Sequence, residues 1–120
     1  MTHILIIEDD PSMRMLLKTL LEIERFQVSV IEISSINDIL SKVNEALPDI
    51  ILMDINLKTA DGIAALREIR SMCAGGSAAR IIMTSGEDRK QECLLAGAND
   101  FLLKPYMPAD LIGKLKTYST

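Results

Sequence analysis

Tryptophan is absent from the 120 residues, and phenylalanine and tyrosine occur only twice each. Large rings cannot fill the core, so Leu, Ile, Val, Met and Ala must do so. An excess of positive charge is also missing: 13 basic residues are scattered among 17 acids, for a net charge of −4. That balance excludes a direct nucleic-acid surface, which needs Lys and Arg clustered against phosphates, and it points to a protein partner. The two cysteines, Cys73 and Cys93, fit neither a CxxC pair nor a zinc spacing, so they read as reduced thiols without a disulfide framework. No apolar run approaches the roughly 20 residues that cross a bilayer. The N-terminus also lacks a basic segment followed by a signal-length apolar stretch. A soluble, cytoplasmic protein with no membrane partner is expected.

Apolar residues make up 48% of the chain and charged residues 25%, the balance of a folded domain. The length bounds it to one domain, residues 1–120, and no repeat or linker interrupts it. Apolar runs of strand length alternate five times with segments of helical period, the signature of a parallel sheet covered by helices. Ile4 to Ile7, Ile50 to Met53 and Ile81 to Met83 are continuously apolar, as central strands buried on both faces must be. Phe26, Val28 and Val30 alternate with Gln27 and Ser29, and the Phe101 to Leu103 run is very short, which marks the second and fifth strands as edges. The expected fold is α/β, a doubly wound five-stranded parallel sheet of order 2-1-3-4-5, flavodoxin-like in architecture.

The helical segments carry apolar stripes toward that sheet: Met13, Leu16, Leu17 and Leu20, then Ile36, Ile39, Leu40 and Val43, then Ile63, Leu66 and Ile69, and finally Leu111, Ile112 and Leu115. Start signals precede them. Asp10 stands before Pro11, Ser35 three before Asp38, Asp61 before Gly62, Ser85 three before Asp88, and Pro108 opens the last helix. Asp10 is read as an N-cap rather than a metal ligand.

Glu8, Asp9 and Asp54 each follow a strand, and the sheet order brings them to the crevice where the winding reverses. Two carboxylates about 5 Å apart repel by roughly 3 kcal/mol at an effective dielectric near 20. Three together therefore need a proton or a cation, and an all-oxygen shell suits Mg²⁺. Each acid also has a plainer reading, as a charge near a positive helix end or as a turn former. Lys104, at the end of the fifth strand with Pro105 stiffening the turn, is expected to face inward rather than into solvent. Thr84 ends the fourth strand, either as an anion donor or as an ordinary β-branched strand residue. A flavin phosphate in this crevice would meet an acidic loop in place of the required donors.

Four stretches carry a resemblance: ILIIEDD at 4 to 10, PDIILMDINLKTADG at 48 to 62, IIMTSG at 81 to 86 and GANDFLLKPY at 97 to 106. In this order they resemble the receiver domain of two-component response regulators across essentially the whole chain. The resemblance implies that Asp54 accepts a phosphoryl group from a histidine of a sensor kinase or phosphotransfer protein. It implies Mg²⁺ bound by Asp9 and Asp54, by Glu8 mainly through water, and by the Asn56 carbonyl. Thr84 and Lys104 would hold phosphoryl oxygens, and the Lys104-Pro105 peptide would be cis. Thr84 and Phe101 would form a switch that alters the surface of the fourth helix, fifth strand and fifth helix, read by a downstream protein or effector domain.

The chain departs from the family's pattern at three places. Lys58 stands where many receivers carry proline, Ser85 replaces the common alanine, and Phe101 lacks a tyrosine hydroxyl. Competing readings are a phosphorylation-independent interaction module and an aspartate-nucleophile phosphohydrolase. The latter is disfavoured because Asn56 stands where such enzymes have a second acid. Either a stand-alone receiver or the front of a longer regulator is compatible with the chain, the former slightly preferred. A monomer and a phosphorylation-dependent dimer both remain open.

Overall fold

The computed structural model describes residues 1–31, 35–72 and 78–119, so Cys73 lies outside the described residues. Ten elements alternate along the chain: β1 (His3–Ile7), α1 (Pro11–Ile23), β2 (Gln27–Val30), α2 (Ile36–Ala46), β3 (Ile50–Asp54), α3 (Gly62–Arg70), β4 (Arg80–Ser85), α4 (Lys90–Ala96), β5 (Asp100–Leu103) and α5 (Pro108–Tyr118). All four strand pairings are parallel, and the order is β2-β1-β3-β4-β5.

Strand alternation divides the core into two layers. Leu5, Ile7, Ile51, Met53 and Ile81 face the side covered by α2, α3 and α4, where Val43, Leu66, Ile69 and Cys93 meet them. Ile4, Ile6, Ile50, Leu52 and Ile82 face the other side and pack on Leu17 and Leu21 of α1 and Leu111 and Leu115 of α5. Both faces of the central strands are therefore dry, which the continuous apolar runs require. Cys93 is buried and free, and burial pushes its thiol up. Among the described residues no helix is long and apolar enough to cross a membrane.

Three of the expected caps form. Asp10 accepts from the amides of Ser12 and Met13, Ser35 from that of Asp38, and Asp61 from that of Ile63. Ser85 is the exception. It ends β4 because the ladder claims it: Ser85 pairs with Leu103, and the Lys104 amide donates to its carbonyl at 2.8 Å. Its hydroxyl accepts from Glu87 N instead, and α4 starts at Lys90 after Arg89, which makes no side-chain cap.

The inner face of α1 also differs from the expected stripe. Leu17 and Leu21 are buried, whereas Leu16 is 61% exposed. Apolar residues at 13, 15, 16, 17, 20 and 21 allow two neighbouring stripes, and only tertiary packing selects between them. Leu16 instead lines an open groove with Leu20, Pro105, Tyr106 and Pro108.

The β5 edge is fastened to α5 through Asp100. Its Oδ2 accepts from Lys114 Nζ at 3.0 Å and from the Tyr118 hydroxyl at 3.1 Å, and its Oδ1 accepts from Phe101 N at 2.8 Å. Burial pushes this carboxyl up, but the bonds from Lys114, Phe101 N and Tyr118 outweigh it and hold the group below its ordinary value of 3.8. A depressed acid contributes stability that is complete above its unfolded value and is lost as pH falls through its folded one. Acid melting curves of the wild type and Asp100→Asn should therefore converge below about pH 3.8. Curves that stay parallel throughout would contradict this role for Asp100.

Candidate functional site

β1, β3, β4 and β5 end on the same side of the sheet, where Glu8 follows β1, Asp54 ends β3, Thr84 lies in β4 and Lys104 follows β5. Glu8 is 7% exposed, Asp54 8% and Thr84 3%. Thr84 stands opposite Asp54 in the β3–β4 register. Lys104 reaches back over the edge, its Nζ 2.9 Å from Asp54 Oδ2 and 3.5 Å from Glu8 Oε2. The Lys104-Pro105 peptide is cis, as the resemblance implies.

This grouping perturbs the charges involved. Burial raises the Glu8 carboxyl above its ordinary value, Lys104 lowers it, and the adjoining Asp54 raises it again. Burial pulls Lys104 down, but its hydrogen bond to Asp54 and the charges of Asp54 and Glu8 more than offset this, leaving the ammonium above its ordinary value. Lys104 is therefore a cation that compensates two buried acids.

Asp9 does not complete a triangle with the other two acids. It is partly exposed, and its Oδ2 accepts from the backbone amide of Lys58, fastening the β1–α1 loop to the β3–α3 loop. The expectation that both acids after β1 face Asp54 thus holds for Glu8 alone. Among the described residues no three His, Cys, Asp or Glu side chains stand close enough to hold a metal ion as placed. The donor chemistry nevertheless fits Mg²⁺: three hard carboxylates at one end of the sheet, two of them buried.

Asn56 frames Asp54 from the loop. Its amide donates to Asp54 Oδ1 at 3.1 Å, and its side-chain Nδ2 donates to Ser85 Oγ at 3.4 Å. Phe101 is 7% exposed, belongs to the core layer covered by α2, α3 and α4, and pairs with Met83 in the β4–β5 register. Two residues that the motifs did not single out also shape the site. Arg14 holds backbone carbonyls of the acidic loop. Gly62 lets α3 abut the Asp54–Ile55 peptide, where a Cβ would stand 2.6 Å from the Asp54 carbonyl oxygen. A guanidinium one turn into a helix carries no distinctive sequence signal, whereas Gly62 closes the stretch at 48 to 62 and reads there only as part of a helix start.

Comparison with known proteins matches residues 4–116 to the response regulator receiver domain. The chemotaxis protein CheY of Bacillus subtilis is 39% identical over 110 residues, covering 88% of each chain. The transcriptional regulatory protein BaeR of Escherichia coli is 33% identical over 118 residues, and the chain spans about half of its length, 47%. Among solved structures, the receiver domain of a Pseudomonas aeruginosa sensor histidine kinase, with a magnesium ion coordinated in its active-site cleft, superposes with a TM-score of 0.84 at 30% identity, covering 98% of this chain and 96% of that one. With the sheet order and the strand-end acids in place, the chain belongs to the response regulator receiver family, the signalling modules of two-component systems.

Proposed function

We propose that residues 1–120 form one receiver domain in which Asp54 takes a phosphoryl group from the phosphohistidine of a sensor kinase or phosphotransfer protein. The observation that carries this reading is the buried Asp54 carboxylate held between Lys104 Nζ and Asn56 N at a sheet edge shared with Glu8 and Thr84. Both oxygens of the nucleophile are aimed by donors. The step forms a bond from an Asp54 oxygen to phosphorus and breaks the phosphorus–nitrogen bond, the electron pair leaving with the donor imidazole. Positioning and charge neutralisation dominate such transfers.

Glu8, Asp9, Asp54 and the Asn56 carbonyl would hold Mg²⁺, with Glu8 acting mainly through water, and Asp9 would exchange its bond with the Lys58 amide for this role. The bound cation supplies neutralisation of the charge on the phosphoryl oxygens. Lys104 contributes a second positive centre and Thr84 a hydroxyl donor on the opposite strand. Thr84 and Phe101 are the switch pair, biasing the α4, β5 and α5 surface that a downstream partner or effector domain would read. The phosphohydrolase reading is disfavoured further because the Asn56 side chain, whose Nδ2 donates to Ser85 Oγ, carries no titrating proton for repeated acid–base turnover.

Incubation with acetyl phosphate and Mg²⁺ should give a single phosphoryl adduct by intact mass, lost with EDTA. An adduct of equal yield in EDTA would reject the Mg²⁺-dependent reading. No adduct from either acetyl phosphate or a phosphohistidine protein donor would favour a phosphorylation-independent interaction module.

A further inference from the structure

The β1–β3 ladder has its last register pair at Ile7 and Met53, one residue before the acidic loop begins. Backbone carbonyls beyond a ladder need other donors. Arg14, half-buried in the first turns of α1, turns its guanidinium back on this loop. Its Nη1 donates to the Glu8 carbonyl at 2.8 Å and to the Asp9 carbonyl at 3.1 Å. The next residue, Asp10, caps α1 with its side chain and accepts from Arg14 N at 2.9 Å through its carbonyl. Three consecutive loop residues are thus anchored to one helix, two of them by a single guanidinium nitrogen.

We propose that Arg14 is a positioning residue for the divalent-cation site: by fixing the Glu8 and Asp9 carbonyls it sets the directions in which their carboxylates leave the backbone. This rests on the reading of those acids as Mg²⁺ ligands. The cation that acts on the Glu8 carboxyl is Lys104, so Arg14 works on the backbone and not as a counter-charge to that side chain. Guanidinium suits the task because it stays charged and its planar donors are pre-organised.

Two accounts of Arg14 differ in sign. A positive charge that merely sits near acids repels Mg²⁺, so removing it would tighten binding. A group that aims the ligands behaves oppositely, and removing it loosens binding. Outer residues that orient metal ligands typically change affinity by about 10- to 100-fold.

The test is Mg²⁺ titration calorimetry of the whole chain at fixed ionic strength, without phosphodonor, for wild type, Arg14→Met, Arg14→Lys and Lys18→Met. Lys18→Met removes one charge from the next turn of α1 and serves as the charge-matched control. Arg14→Met is expected to raise the Kd about tenfold, Arg14→Lys to raise it less, and Lys18→Met to leave it unchanged or slightly lower. Equal or tighter binding in folded Arg14→Met overturns the proposal. If Arg14→Met does not fold, Arg14→Lys decides by the same criterion. A wild type that binds no Mg²⁺ overturns the functional reading and with it Arg14's role toward the metal. The hold on the backbone is then judged by the ¹³C carbonyl shifts of Glu8 and Asp9. These should move in the Arg14 variants and not in Lys18→Met, and unmoved shifts would overturn the anchoring itself.

Discussion

Gly62→Ala is expected to lower the thermal midpoint by about 10 °C or more, while Gly113→Ala raises it slightly. The two substitutions add the same methyl group in different surroundings. At Gly62 the new Cβ would stand 2.6 Å from both the Asp54 carbonyl oxygen and the Ile55 Cα, and 2.8 Å from the Ile55 carbonyl oxygen. All three are backbone atoms, and the Gly62 amide donates to that same Ile55 carbonyl at 3.0 Å. No rotamer change can relieve the contact, so α3 must move off the end of β3, at a cost of about 3 kcal/mol. Because the displaced backbone carries Asp54, phosphoryl uptake should fall along with stability. Gly113, by contrast, has nothing within 4 Å of its would-be Cβ. Alanine there gains about 1 kcal/mol of helix propensity. Differential scanning calorimetry of the two variants checks both signs, and a Gly62→Ala midpoint equal to that of the wild type would contradict the close approach.

Lys104→Met should damage the protein twice. It strips the counter-cation from Asp54 and Glu8, whose side chains are 10% and 9% exposed. Removing one partner of a buried ion pair costs about 3–5 kcal/mol. The lysine side chain itself is 27% exposed, so solvent screening brings the expected loss below that range, to about 2 kcal/mol. The pH dependence has a definite sign. Lys104 is held above its ordinary value of 10.5, so its contribution is complete below that pH and is lost as pH rises through the folded value. In the variant, Glu8 loses the charge that lowered it and moves further above its ordinary value. Its native state then keeps a proton that the unfolded chain has released, and the variant regains stability as pH falls from neutral toward the ordinary carboxylate value. Phosphoryl uptake at saturating Mg²⁺ should drop about 100-fold, the scale of losing one charge-stabilising donor. Urea melts at neutral and at mildly acidic pH, with uptake measured beside them, would contradict the account if the deficit were independent of pH.

The architecture was legible because burial on both sheet faces forces continuous apolar strands, and Ile4 to Ile7, Ile50 to Met53 and Ile81 to Met83 satisfy that with β-branched residues bounded by turn signals. The caps at Asp10, Ser35 and Asp61 were legible for a similar reason: a short oxygen side chain before a helical period has few other uses. Ser85 carried the same local pattern, but α4 begins only at Lys90, so its hydroxyl accepts from Glu87 N while its carbonyl joins the β4–β5 ladder. Leu16 could not be separated from Leu17 and Leu21 by period alone in a helix so rich in apolar residues. At the site, strand ends delivered Asp54, Glu8, Thr84 and Lys104 together, since topology alone fixes where strands terminate. The direction of Asp9 depended on a backbone amide, that of Lys58, which has no side-chain signature. Arg14 and Gly62 likewise act on backbone atoms, and residue identity does not advertise such contacts.

The central claim, that Asp54 is the phosphoacceptor, is tested most directly by locating the phosphoryl group. The protein is phosphorylated with acetyl phosphate and Mg²⁺, reduced with borohydride, which converts an acyl phosphate to an alcohol, and mapped by peptide mass. The account predicts homoserine in place of aspartate at position 54 and nowhere else, and no adduct in Asp54→Asn. Reduction at Asp9 or Asp61 with Asp54 intact, or undiminished labelling of Asp54→Asn, would contradict it.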